Sequence, residues 1–315
     1  MLKKIIILFS WLVLGPIPGA GQLGSIISAV ERAEIAMETD PGRAKAICDS
    51  LNALPLTDLE SAYVNFTLSD AYYYLEDIRG SSRAAAEALR VMPDSFPLAK
   101  QITLYNSQGQ NLDILGKMDS AIWHYQRGIA IASRINDSLE LSDLYFNLGT
   151  AYNKQLAYNQ ALTYLDSSYQ IDLMLEDSSK LSNLLRYIGF LQMRYYDYGA
   201  AKSQLIKALN FANSDDPSQS CVVLTTLGTL HEQLGEIDSL RHYLELARDC
   251  YTGIEDHTTI HYLYKLEGEY YLLAGDTLNA INSFDISSRI AGQIGDETGR
   301  IMTNLQSLEL RNDTN

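Results

Sequence analysis

Five segments of the chain align without a gap: YNSQGQNLDILGKMDSAIWHY from Tyr105, YFNLGTAYNKQLAYNQALTYL from Tyr145, LRYIGFLQMRYYDYGAAKSQL from Leu185, LTTLGTLHEQLGEIDSLRHYL from Leu224 and YKLEGEYYLLAGDTLNAINSF from Tyr264. Gly109, Gly149, Gly189, Gly228 and Gly268 fall 39 or 40 residues apart, and twelve residues after each stands Ala121, Ala161, Ala201, Leu240 or Ala280. A fixed period of this length marks a repeat architecture. Within one copy, Tyr145, Leu148, Gly149 and Tyr152 share one face of a first helix, and Ala161, Leu165 and Ser168 share one face of a second. Glycine inside a helix costs roughly 1 kcal/mol relative to alanine. Its recurrence therefore implies a packing reason, and glycine facing alanine is expected to let two helix backbones approach. A lone helix pair cannot bury both its faces, so the copies must stack.

Asp137, Asp177, Asp216, Asp256 and Asp296 form another column, where each copy restarts. Aspartate is a favoured N-cap because its carboxylate accepts from free amides of the first turn. Asp137 with Glu140, and Asp216 with Gln219, have the spacing of a capping-box start, and Pro217 stands where a missing N–H does no harm. Each copy thus reads as cap, first helix, tight turn, second helix, short loop.

These columns resemble the tetratricopeptide repeat. The copy at 142–177 carries the motif as Tyr145, Leu148, Gly149, Tyr152 and Ala161, and the copy at 261–296 carries it as Tyr264, Gly268, Tyr271, Ala280 and Phe284. The period near 40 is similar to the long-helix variant found in bacterial signalling proteins. The resemblance implies an all-α, right-handed α-solenoid of about seven antiparallel helix pairs plus a C-terminal capping helix. The expected boundaries are two degenerate pairs over 22–97, then five repeats at 98–137, 138–177, 178–216, 217–256 and 257–295. A helix over 296–311 should cover the last apolar face, ahead of a short tail over 312–315.

The N-terminus reads differently. Lys3 and Lys4 precede a short apolar run, Ile5–Leu14, then Gly15-Pro16-Ile17-Pro18 and the small residues Gly19-Ala20-Gly21. Basic start, apolar middle and small-residue end describe a secretory signal peptide over 1–21, too short to span a bilayer. Cleavage would take the net charge from −15 to −17. The mature chain is then expected to be periplasmic or secreted and not inserted in a membrane; the alternative is anchoring by an uncleaved segment. Gly19, Gly21 and Gly24 also spell G-x-G-x-x-G, but a Gly-Pro break separates them from the apolar run and no second strand pattern follows. No cofactor is expected.

A net charge of −15 lacks the basic footprint that nucleic acid requires. Phosphate-loop, nucleophile-elbow, H-E-x-x-H and C-x-x-C patterns are absent from the sequence. His257 and His261 stand four apart, but zinc needs three or four ligands, so no metal site is assigned. Neither an enzyme nor a small-molecule site is expected. Cys221 opens a first helix and Cys250 closes its partner, which brings the two ends side by side in a hairpin. Either they form a disulfide, as an oxidising compartment allows, or they are two buried thiols.

In the repeat family the first helices line a concave groove. By position this implies Asn147, Asn153 and Lys154 in one copy, Arg186, Tyr187, Phe190 and Arg194 in the next, and then Thr225, Thr229, Glu232, Lys265 and Glu269. Arg186, Phe190 and Arg194 form a stripe of two cations around an aromatic. Such cations either grip a carboxylate or acidic peptide, or pair with acids on adjacent helices. The resemblance implies an exported, non-enzymatic scaffold with a protein or peptide partner. The alternative is a sensory module acting with a membrane kinase or regulator in trans.

Overall fold

The structure, a computed structural model, describes residues 20–212, 217–252 and 257–313. The signal-type segment lies outside them up to residue 19, as do the capping residues Asp216 and Asp256. The described residues form helices and no strand: α1 (Ala20–Met37), α2 (Pro41–Asn52), α3 (Asp58–Tyr74), α4 (Ile78–Val91), α5 (Leu98–Ile114), α6 (Met118–Ile135), α7 (Ser138–Lys154), α8 (Tyr158–Met174), α9 (Ser178–Arg194), α10 (Tyr198–Phe211), α11 (Pro217–Gln233), α12 (Ile237–Cys250), α13 (His257–Leu273), α14 (Thr277–Gln293) and α15 (Glu297–Asp313). They make seven successive pairs and a last single helix. The chain divides into two compact units, residues 1–151 and 152–315.

The turns explain the period. Glu76, Gly116, Leu156, Tyr196, Gly235 and Gly275 all have positive φ, between 61° and 79°, and each lies between the two helices of a pair. The amide of the next residue then donates to the carbonyl five positions back, as in Asp77 to Tyr72, Lys117 to Leu112 and Asp276 to Tyr271, at 2.8–2.9 Å. This left-handed C-cap satisfies the last carbonyls of one helix and reverses the chain. Glu76 belongs to the same column, so α3–α4 is already in register with the later copies. Asp137, Asp177 and Asp296 accept from the backbone amides of Glu140, Lys180 and Gly299 at 2.9–3.2 Å. Asp77, Asp197 and Asp276 cap the second helices α4, α10 and α14 in the same way.

Each core joins one hairpin to its neighbours. In the first unit Ile26, Val30 and Ala33 of α1 pack with Cys48 of α2 and with Val64 and Leu68 of α3. Phe66 of α3 and Ala85 of α4 pack with Phe96 and Leu104 at the next hairpin. In the second unit Leu185 and Met193 of α9, Ala201 and Leu205 of α10, and Val223 and Leu227 of α11 form one cluster. Cys221, Leu240, Leu244, Leu263 and Leu266 form the next, across α11, α12 and α13. Burying such side chains stabilises the stack by about 1.5–3 kcal/mol each.

The glycine column has a more specific cause than close backbone approach. A Cβ on Gly109 would overlap the Tyr125 ring, and one on Gly268 would overlap the Phe284 ring. Tyr125 and Phe284 are fully buried and stand four residues after the column alanines. At Gly109, Gly189 and Gly268 the glycine is a seat for a large side chain of the second helix, whereas at Gly228 the space is taken by Leu266 of α13, the first helix of the next hairpin.

The last helix follows α14 as the expected single C-terminal helix. α15 makes polar contacts with the helices before it: Ser307 Oγ donates to Asp285 at 2.6 Å and Gln306 Nε2 to Glu269 at 2.7 Å. Thr303 and Ser307 are buried, whereas Ile301, Leu305 and Leu308 are 50, 52 and 44% exposed. The helix turns its hydroxyl face inward because α14 offers Asp285 and the carbonyls of Gly299 and Arg300 take up the Thr303 and Ser288 hydroxyls.

Candidate binding groove in the second unit

α11 packs against α9 on one side and α13 on the other; all three are first helices of their hairpins. Between them lies a groove of about 690 Å³. α9 contributes Arg186, Tyr187 and Phe190. Val222, Thr225, Thr226, Thr229, Glu232 and Gln233 come from α11, and Tyr262, Lys265, Leu266 and Glu269 from α13. The repeat sets their levels. Arg186, Thr225 and Lys265 are equivalent positions; Phe190, Thr229 and Glu269 stand one turn further toward the C-terminal ends. Glu232 and Gln233 stand another turn on.

Two groups in this groove lack partners. Arg186 is half-buried, its Nε has no hydrogen-bond partner, and it makes no ion pair among the described residues. Burial lowers its pKa, opposed by Tyr251, yet a guanidinium stays charged at any working pH. The Glu232 carboxylate makes no hydrogen bond or ion pair among the described residues, and its pKa is raised by burial and by the Glu269 carboxylate, with Lys265 opposing. Glu269 itself accepts from Gln306. The threonine hydroxyls are committed to their own helix: Thr225 donates to the Cys221 carbonyl at 2.8 Å and Thr229 to the Thr225 carbonyl at 3.1 Å. The walls are apolar at Phe190, Val222 and Leu266, and phenolic at Tyr187 and Tyr262.

Of the residues singled out in the sequence, Arg186, Tyr187 and Phe190 meet here, with Thr225, Thr229, Glu232, Lys265 and Glu269. Asn153 stands behind them, donating to Tyr187 Oη at 3.1 Å. Lys154 and Arg194 are exposed and do not line the groove, and Arg194 makes no ion pair among the described residues. Asn147 lies in the first unit, where its Nδ2 donates to Asn106 Oδ1 at 2.8 Å. Thr226 and Leu266 were not singled out, although they are the counterparts of Tyr187 one and two copies later.

A disulfide joins Cys221 to Cys250, with Cα atoms 5.5 Å apart, and so ties the start of α11 to the end of α12. Cys48 is a buried free thiol whose pKa burial pushes up to about 12. His261 is buried with its Nδ1 2.8 Å from the Ser287 hydroxyl, while His257 is exposed. Among the described residues no cluster of three or more His, Cys, Asp or Glu could hold a metal ion, and no helix is long and apolar enough to cross a membrane.

The same helix face in the first unit is closed electrostatically. Lys100 Nζ pairs with Glu34 Oε1 at 3.0 Å and lies 4.5 Å from the centre of the Phe66 ring. Asp70 sits beside this pair; burial raises its pKa to about 6, with Lys100 opposing and Glu34 adding to the rise.

No family model and no curated protein matches the sequence. Solved structures do. The apo form of RapI superposes with a TM-score of 0.67 at 16% identity, over 86% of this chain and 99% of that one. NprR in complex with its cognate peptide NprX gives 0.59 at 12% identity, over 92% and 84%. The C-terminal part of a TPR repeat-containing protein from Cytophaga hutchinsonii gives 0.55 at 13%, over 87% and 98%. With its helices in adjacent pairs, this chain has the fold of a tetratricopeptide-like helical repeat protein.

Proposed function

We infer that this chain is an exported, non-enzymatic scaffold that holds a protein or peptide on the first-helix face of its second unit. The observation that carries the reading is the Arg186 guanidinium, half-buried in an open groove without a carboxylate partner. An uncompensated cation of this kind costs desolvation energy that an arriving anion offsets. The likeness to NprR, which is seen with a peptide, supports a peptide as the occupant. The basic, apolar and small-residue order of residues 1–21 supports export, and the Cys221–Cys250 disulfide supports an oxidising compartment.

Two measurements test the reading. Immobilised chain is used to capture partners from a periplasmic extract, with Arg186→Glu as the comparison and circular dichroism to verify its fold. The captured set should shrink sharply for the variant; an unchanged set would sink the groove as the binding surface. N-terminal sequencing of the secreted protein should begin at Gly21 or Gln22. A chain recovered only in the cytoplasm, with Met1 or Leu2 in place, would sink export.

A further inference from the structure

We propose that the groove selects a peptide carrying two opposite charges, a carboxylate held at Arg186 and a basic side chain or amine held at Glu232, with an apolar side chain between them; this rests on the peptide-holding reading above. The argument starts from the two groups left without partners. The Arg186 guanidinium and the Glu232 carboxylate lie in one groove, yet neither hydrogen-bonds nor pairs within 4 Å of an opposite charge among the described residues. Two like vacancies would ask for one kind of ligand charge; two opposite ones ask for both.

Their placement follows from the repeat. Arg186 shares its level with Thr225 on α11, and Glu232 stands seven residues further along that helix. Seven residues of α-helix rise about 10 Å. An extended peptide advances roughly 3.3 Å per residue, so charges three to four residues apart match the axial separation. Between the two levels stands Phe190, opposite Leu266, which gives an intervening aliphatic side chain an apolar surface. Glu232 is already disfavoured as an anion by burial and by Glu269, so an arriving cation relieves a cost the empty groove bears. Lys265 shares the Arg186 level, and its charge also reaches Glu232, where it opposes the effect of Glu269.

The unit's charges also argue against a purely acidic occupant. A peptide bearing only anions would leave one to face Glu232 and Glu269, and like charges at close range repel. Glu232 is therefore a specificity element as well as a contact.

The test uses isothermal titration of the purified chain with four synthetic, end-blocked pentapeptides. Lys-Ala-Leu-Ala-Glu carries both charges; replacing the lysine, the glutamate or both with glutamine gives the other three. The doubly charged peptide should bind about tenfold or more tightly than either singly charged one. Arg186→Gln should abolish the preference for the glutamate and keep that for the lysine, and Glu232→Gln should do the reverse. If Glu232→Gln leaves the affinity of the doubly charged peptide unchanged, or the anion-only peptide binds as well, the two-charge inference fails while the scaffold reading stands. If none of the four binds yet capture still depends on Arg186, the inference fails in the same way. If capture is also indifferent to Arg186, both fail.

Discussion

The two units solve one electrostatic problem in opposite ways. In the first, the cation on the first-helix face, Lys100, is paired with Glu34, has Asp70 nearby and rests over Phe66. In the second, Arg186 occupies the register position of Phe66 three repeats later and makes no ion pair among the described residues. The first unit thus supplies its own counter-charges, whereas the second leaves that role open. The repeat fixes where a side chain stands but not whether its neighbours complete it. One backbone pattern therefore yields a closed face in one place and a receptive one in another.

The contrast can be broken at several points. The largest expected effect comes from Cys221→Ser with Cys250→Ser, since the bond closes a loop with a sequence separation of 29 and the second unit alone has such a tie among the described residues. Loss of about 3–4 kcal/mol is expected from the chain-entropy account. Hydrogen exchange followed by mass spectrometry should show faster exchange in α11 and α12 and none in α3 and α4; equal acceleration in both would contradict the separation into units.

Asp70→Asn acts on the first unit. The folded carboxyl has its pKa raised from 3.8 to about 6, so the native state binds the proton more tightly than the unfolded chain does. No penalty exists below pH 4; it grows as pH rises to about 6 and is constant above. The substitution should therefore raise stability at pH 8 by up to about 3 kcal/mol and change little at pH 3.5. Urea titrations at the two pH values check this, and a pH-independent gain would exclude the cause given.

Gly109→Ala and Gly268→Ala probe what the units share. Each places a methyl group against a buried ring, and overpacking of this sort costs about 1–3 kcal/mol. Combining Gly268→Ala with Phe284→Leu should recover part of the loss, since the double change restores room. Additivity of the two losses would mean that the ring is not the obstacle.

The smallest effect is expected at the turns. Leu156→Gly and Tyr196→Gly relieve a left-handed conformation at side chains that are 72 and 79% exposed, so little packing is lost. Each should gain up to about 1 kcal/mol. A fall in melting temperature would show that these exposed side chains contribute contacts.

Much of this was legible before the structure. The period, the restarting aspartates and the face carrying Arg186 and Phe190 follow from spacing, because helical geometry turns spacing into direction. The turn column was half-hidden: Gly116, Gly235 and Gly275 spell a left-handed cap, whereas Glu76, Leu156 and Tyr196 adopt it without the residue that signals it. Spacing alone also could not tell whether Arg186 finds a carboxylate, since that depends on which side chains the neighbouring hairpins point inward. Arg194 shows the limit of extending a stripe. It is four residues beyond Phe190 at the end of α9 and exposed, and it does not line the groove, although its counterpart Gln233 at the end of α11 does.

The Cys221–Cys250 bond has a mechanical meaning as well as a thermodynamic one. When the chain is pulled from its ends, hairpins can pay out their full length, but the segment between these cysteines cannot. At roughly 3.3–3.6 Å per stretched residue the oxidised chain should be shorter by about 90–100 Å in optical-tweezer extension than the reduced one. The helix at the centre of the groove would keep its footing on α12 under a load that unravels its neighbours.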